Sequence, residues 1–170
     1  MTPKFLRAAL AGKIHEAEQE LAFALPAEWV SAHERLLSLR LEQVEAEPTL
    51  QPWLLRAMVL RTEDVFVGHI GFHTAPGADY LQPYSPGAVE FGYTVYPAYR
   101  RRGYAREAAR ALMQWAIEIH GVTKFIQTIS PDNHASQALG AQLGFTRIGS
   151  HIDDVDGPED ILEYRVPEGD

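Results

Sequence analysis

One stretch constrains this chain more than any other: an apolar strand that turns through three consecutive arginines and a glycine into a long amphipathic helix. Residues 89–96 read as the strand. Strict alternation puts Val89, Phe91, Tyr93 and Val95 on one face and Glu90, Gly92, Thr94 and Tyr96 on the other, unless a bulge at Gly92 changes the parity. Residues 104–120 read as the helix, with Ala105, Ala108, Ala109, Leu112, Ala116 and Ile119 as its buried stripe and Gly121 as its stop. Arg100, Arg101, Arg102 and Gly103 lie between the two. The first amides of a helix have no partner inside it, and they face the turn at the positive end of the helix dipole. Such amides form a cradle for an anion. Gly103 lets a phosphate approach the backbone, Ala105 keeps the helix start small, and a pyrophosphate fits. By residue type alone the same residues read rather as a solvated basic turn with a glycine required for backbone geometry. Neither G-x-x-x-x-G-K-[ST] nor G-x-G-x-x-G occurs after the strand, which excludes a Walker-type loop and a dinucleotide fingerprint.

The remaining pattern supplies the layers. Phe5, Leu6, Ala9 and Leu10 recur at helical spacing, Gly12 interrupts them, and Ile14, Ala17 and Leu21 continue as far as Pro26. A further helix is predicted over 29–44, with Val30, His33, Leu37, Leu41 and Val44 on one stripe and Pro48 and Pro52 beyond its end. Residues 53–60 and 65–72 read as a hairpin about Glu63-Asp64. The loop over 74–87 is rich in proline and glycine and long for a plain connection, so it is either functional or a disordered excursion. A strand over 124–129 follows the long helix. Asp132 or Asn133 then caps a helix that runs through Leu143 and stops at Gly144. Strands over 145–152 and 161–166 flank an acidic turn. Helices, antiparallel strands, then β-α-β-α-β-β, make an α/β (α+β) chain with a mixed sheet and helices on both faces.

At 170 residues, a single domain over 1–170 is expected. The apolar fraction of 46% excludes a disordered chain. Fifteen basic against 23 acidic residues leave a net charge of −8, which argues against nucleic acid and anionic membranes as partners and suits a cationic one such as an amine. With no cysteine there is no disulfide, thiolate zinc site or Cys nucleophile. No apolar run is long enough to span a bilayer, and the first residues lack the apolar stretch of a secretion signal, so a cytoplasmic location is expected. The seven histidines do not cluster, His69 and His73 have the wrong spacing for a metal pair on a strand, and no metal site is expected.

Arg100-x-x-Gly103-x-Ala105 resembles the R/Q-x-x-G-x-G/A signature of the GNAT superfamily of acetyltransferases. Asn133-x-x-Ser136, followed by Leu143-Gly144-Phe145, resembles the family's N-x-x-S…L-G-F element, one helix and one strand further on. The likeness runs from about residue 53 to 166 and is nearest to the branch that holds ribosomal-protein N-terminal acetyltransferases. It implies a mostly antiparallel central sheet that splays between the central strand and the next. It also implies acetyl-CoA as cofactor. The pyrophosphate would lie on the turn of Arg100, Arg101, Arg102, Gly103, Tyr104 and Ala105, the pantetheine arm would pair with backbone at Tyr93, Thr94 and Val95, and Asn133 would hydrogen-bond its side. By residue type alone Asn133 is a helix cap. Three features depart from the family: Gly140 stands where many relatives have a tyrosine acid, Thr128 where some have a glutamate base, and the usual N-terminal strand is missing or very short.

The resemblance implies direct attack of a primary amine, from a small cationic molecule or a protein N-terminus, on the thioester. A lysine-like ammonium is neutral in roughly one molecule per thousand at neutral pH, a handicap of about 4 kcal/mol that a carboxylate relieves. Glu90, an acid inside an apolar strand, is the candidate base; it also reads as a solvent-facing or arginine-paired glutamate. Ser136, one helical turn after Asn133, is the candidate hydrogen-bond donor to the departing sulfur; it also reads as an ordinary first-turn serine. Tyr80, Tyr84 and Trp29 either line an acceptor pocket or simply pack, and the acids over 153–160 either attract a cation or form a solvated turn. The rival function is a non-catalytic acyl-CoA-binding sensor or partner module on the same fold, and a homodimer is compatible with either. RNA binding through the arginines is disfavoured by the net charge.

Overall fold

The computed structural model describes residues 1–167. The elements in chain order are α1 (Pro3–Leu10), α2 (Ile14–Leu21), α3 (Trp29–Ala32), α4 (Glu34–Ala46), β1 (Arg56–Leu60), β2 (Val65–Phe72), β3 (Val89–Val95), α5 (Tyr104–His120), β4 (Lys124–Ile129), α6 (His134–Leu143), β5 (Thr146–Asp153) and β6 (Gly157–Arg165). The strands form a six-stranded sheet in the order β1-β2-β3-β4-β6-β5. The β1–β2, β4–β6 and β5–β6 pairs are antiparallel and the β3–β4 pair is parallel. The β3–β4 ladder holds only Val89↔Phe125 and Glu90↔Ile126, although β3 runs on to Val95 and β4 to Ile129. The expected mixed sheet that splays after its central strand is therefore present, and Glu90 is the last paired residue before the splay.

The chain divides into two compact units, one of Met1–Gly71 with Tyr93–Arg102, the other of Phe72–Gly92 with the chain from Gly103 onward. In the first unit Thr2 starts α1, its Oγ1 accepting from the Phe5 amide at 3.1 Å with Pro3 at the first helical position. The expected single helix over 29–44 is two. His33 leaves helical geometry (φ −124°) and its Nδ1 lies 2.8 Å from the Trp29 carbonyl oxygen, so α3 ends and α4 begins there and runs on to Ala46. The strand expected from residue 53 begins at Arg56; Trp53, Leu54 and Leu55 are buried in a turn, because apolarity alone does not separate a buried turn from a buried strand. Trp29 is 1% exposed, with Phe5, Phe66, His33 and His69 around its ring, and is core rather than pocket lining.

His69 in this core has a consequence for acid stability. Burial pushes its imidazole down to about 4, with the charges of His33 and Arg40 adding to the effect. In its neutral form it accepts from Trp29 Nε1 at 3.3 Å. The unfolded chain binds a proton here near 6.5 and the folded chain only near 4. Stability from this group is thus complete above the upper value and is lost as pH falls through the window, on the order of 3 kcal/mol in all. Urea midpoints at about pH 7 and about pH 4.5 measure the drop, and His69→Gln, which keeps an acceptor but no titrating group, flattens it by most of that amount. An equal drop in the variant would refute the assignment.

The second unit packs α5 and α6 on one face of β3, β4 and β6. Phe72 stacks near Phe91, Phe125 and Trp115, while Phe91 and Tyr164 meet Phe145. Ala109, Leu112, Met113 and Ala116 are the fully buried residues of α5. Ile119, expected in that stripe, is 66% exposed; the stripe drifts around the axis by the last turn, and Trp115 takes the contact with Phe72. On the opposite face lies the 74–87 loop. It is anchored there: Leu81 and Ala88 cluster with Ile126 and Ile161, buried Ser85 donates to Glu163, and Lys124 Nζ donates to the Pro86 carbonyl at 3.0 Å. Part of the expected acidic turn is strand, since β6 starts at Gly157 and pairs Glu159 with His151 and Asp160 with Ser150. No helix among the described residues is long and apolar enough to cross a membrane.

Candidate functional site

Glu90 is the centre of the site, and strand geometry explains its surroundings. Its parallel partner is Ile126, so Thr128, two residues further along β4, shares its face. The Thr128 hydroxyl donates to Glu90 Oε1 at 2.5 Å. His73 Nδ1 lies 3.3 Å from Oε2, and the His73 amide donates to the Glu90 carbonyl oxygen at 2.8 Å. Glu90 itself is only 4% exposed, which rules out the solvent-facing reading of this residue. Burial pushes its carboxyl up, but His73 and the hydroxyls of Thr128 and Tyr80 outweigh burial and hold it below its ordinary value of 4.5. The carboxylate therefore stays ionised throughout the neutral range. Sequence reasoning had Thr128 only as the residue that replaces a glutamate, and had His73 unconnected to any site. The parity of β3 and β4 points to Thr128 once their register is known; nothing local points to His73.

A cavity of about 430 Å³ opens over this carboxylate, lined by Tyr80, Leu81, Tyr84, Glu90, Thr128, His151, Ile152, Asp153, Asp154 and Ile161. The long loop thus supplies two tyrosines to the cavity, and the β5–β6 hairpin supplies two aspartates. Asp153 Oδ1 accepts from the amides of Val155 and Asp156 at 2.8 and 2.9 Å, which fixes the hairpin turn. His151 Nε2 lies 3.1 Å from Glu159 Oε2. The other expected site residues stand elsewhere in the chain and do not line the cavity. Asn133 caps α6, its Oδ1 accepting from the Ser136 amide at 3.1 Å. Ser136 is half-buried in the first turn of that helix. Gly140 is buried and faces the sheet: a Cβ there would meet Leu162 at 3.2 Å and Gln127 Oε1 at 3.4 Å. A side chain here would need the Leu162 and Gln127 side chains to shift by a few tenths of an ångström, and the glycine itself supplies no acid from this point of α6.

The turn between β3 and α5 is built from backbone. Pro97–Tyr99 is a single 3-10 turn, Arg101 has φ +60° and Gly103 has φ +86°. Gly103 is the N-cap of α5, no side chain caps the helix, and space within 4 Å of a Cβ at Gly103 is empty. The first-turn amides of α5 are thus left for a ligand or solvent, as a phosphate cradle requires. Two of the arginines turn back on their own loop: Arg100 Nε donates to the Val95 carbonyl at 2.9 Å, and the Arg102 guanidinium lies 5.7 Å over the Tyr99 ring. The helix start is thus uncapped and open, and its chemistry suits a diphosphate-bearing group such as that of coenzyme A.

A family profile described as "Acetyltransferase (GNAT) domain" matches residues 8–146. The chain belongs to the GNAT acetyltransferase family. The GNAT domain is 30% identical over 92 residues to a Bacillus subtilis (strain 168) protein named "Uncharacterized N-acetyltransferase YnaD", a match covering 54% of this chain and 49% of that one. The chain thus spans about half the length of this relative. Among solved structures it is similar to yncA of Salmonella typhimurium, a putative acetyltransferase determined with its cofactor acetyl-CoA (TM-score 0.57, 23% identity, 79% of this chain and 76% of that one). It is also similar to the ribosomal-protein-S5-alanine acetyltransferase of Vibrio fischeri (TM-score 0.61, 13% identity, 94% and 88%). At those identities the two structures establish the GNAT fold of this chain.

Proposed function

We propose that residues 1–170 work as one acetyl-CoA-dependent N-acetyltransferase domain, similar to the ribosomal-protein acetyltransferase branch, that moves an acetyl group to a primary amine. The single observation that carries this reading is the buried Glu90 beneath an open cavity, on a strand that leads into an uncapped helix start. The amides from Arg101 to Ala105 hold the diphosphate. The backbone of Tyr93, Thr94 and Val95, in the part of β3 without a β4 partner, holds the pantetheine arm, and the Nδ2 group of Asn133, which its cap leaves unused, donates to it. Acetyl-CoA, when bound, supplies a thioester carbonyl as acyl donor. The amine attacks the carbonyl carbon as its free base, and Glu90 takes, through a water, the proton that the nitrogen sheds as the C–N bond forms. Its low basicity does not prevent this, because the nitrogen becomes strongly acidic as it bonds to carbon and needs an acceptor only then. An amide near Val95 meets the carbonyl oxygen as it gains charge. Ser136 Oγ donates a hydrogen bond towards the departing sulfur.

Gly140, which offers no acid where many relatives have a tyrosine, favours a second reading, an acyl-CoA-binding module without turnover. Thiol release from acetyl-CoA with a panel of primary amines separates the two: turnover supports the enzyme, and CoA binding without turnover of any amine supports the module. The cradle is tested apart from chemistry. Gly103→Val places a β-branched residue at φ +86° and a side chain at the phosphate approach. Calorimetry with CoA gives at least a roughly tenfold loss of affinity, and an unchanged affinity contradicts the cradle.

A further inference from the structure

We propose that Tyr80 selects for a primary amine: its phenolic oxygen accepts the second N–H of the attacking nitrogen and turns the lone pair towards the thioester; this rests on the acetyltransferase reading. A primary amine that attacks as its free base carries one lone pair and two N–H groups. The lone pair goes to the carbonyl carbon, and one N–H leads through the water to Glu90. Without an acceptor for the second N–H, the nitrogen rotates freely about its bond to carbon. The Tyr80 hydroxyl hydrogen-bonds the Glu90 carboxyl, and the tyrosine lines the cavity over it. A carboxylate only accepts, so the proton of that bond is Tyr80's own, and its oxygen keeps its lone pairs for a second partner. A hydroxyl whose proton is given to a carboxylate is also the stronger acceptor. Two adjoining acceptors, the water on Glu90 and Oη of Tyr80, thus match the two N–H groups of one nitrogen. The chain holds this hydroxyl in place. Tyr80 sits in a 3-10 turn, Asp79–Leu81, whose buried Leu81 clusters with Ala88, Ile126 and Ile161. The Ser85 amide closes on the Leu81 carbonyl at 2.8 Å. The fully buried Ser85 hydroxyl donates to Glu163, whose carboxylate Arg165 Nε holds at 2.6 Å. Tyr80, itself 50% exposed, is therefore carried by a pinned segment. Thr128 gives Glu90 a second hydroxyl, from β4, and serves as the comparison.

The test takes the fastest primary amine of the panel and its N-methyl derivative, which has one N–H. Thiol release from acetyl-CoA is measured for both, with CoA affinity by calorimetry, in the parent, Tyr80→Phe and Thr128→Val proteins. Each variant removes one donor from Glu90 and slows both amines. Tyr80→Phe slows the primary amine about tenfold more than the N-methyl amine in kcat/KM, the worth of one neutral hydrogen bond, and leaves CoA affinity within about twofold of the parent. Thr128→Val slows the two amines alike. Equal slowing of both amines by Tyr80→Phe overturns the inference and leaves the acetyltransferase reading standing. So does an N-methyl amine that speeds up while the primary amine keeps its rate, which marks a steric filter. A selective loss in Thr128→Val gives the contact to Thr128 and overturns the inference in the same way. Intact CoA binding by the parent with no amine turned over overturns the acetyltransferase reading, and the inference with it.

Discussion

Glu90→Gln lowers kcat/KM for amine acetylation by about 10²- to 10⁴-fold and leaves CoA affinity within about twofold of the parent. Glutamine keeps the shape of the side chain and an oxygen for the Thr128 hydroxyl, so the β3–β4 junction survives. It removes the proposed proton acceptor. The pH profile gives an independent check. Because His73, Thr128 and Tyr80 outweigh burial, Glu90 titrates below 4.5, and the parent enzyme shows no acid limb from this group in the neutral range. The rise of kcat/KM through neutral and alkaline pH then belongs to the free amine. His73→Ala removes the largest of the influences that lower the carboxyl, while burial remains, so the Glu90 limb moves upward towards neutrality. A Glu90→Gln protein with parental turnover, or an acid limb that His73→Ala does not move, places the base elsewhere.

Gly68→Ala destabilises the first unit by about 3–4 kcal/mol. A Cβ at this position would lie 2.1 Å from the Thr94 carbonyl oxygen and 3.0 Å from Val95 Cα, which are backbone atoms, and 2.8 Å from Met58 Cε. The methionine end can move aside, but the strand backbone cannot move without loss of its hydrogen bonds. The expected fall in Tm is roughly 10 °C for a chain of this size. Gly77→Ala is the control: its Cβ site is open, so only its left-handed backbone, φ +90°, opposes the change, at about 1 kcal/mol. Thermal or urea unfolding compares the two. Equal losses in both variants contradict the close approach of β2 to residues 94 and 95.

Sequence reasoning succeeded where the deciding forces are local. The ends of β2, α5 and β4 fall where periodicity and stop residues place them, and Asn133 and Gly144 bound α6 as their side-chain chemistry and left-handed tolerance dictate. The family signature was equally legible, since it is a local device of uncapped amides, a glycine and small residues at a helix start. Failures came where a residue's state depends on distant partners. His33 breaks a helix whose apolar stripe runs on without interruption, and Trp53 to Leu55 are as apolar as the strand beside them.

The order of elements, the glycine at the start of α5 and the candidacy of Glu90 are legible in the chain alone, because hydrophobic period, glycine backbone freedom and an acid in an apolar strand are properties of a few consecutive residues. What Glu90 is depends on the folded chain. Its ionisation is set by His73 from the far side of a long loop, by Thr128, 38 residues away, and by Tyr80 within that loop, and the β5–β6 hairpin lines part of the cavity over it. Those neighbours follow from which strands pair and in what register, and pairing is fixed by the burial of the whole sheet, not by any segment of it.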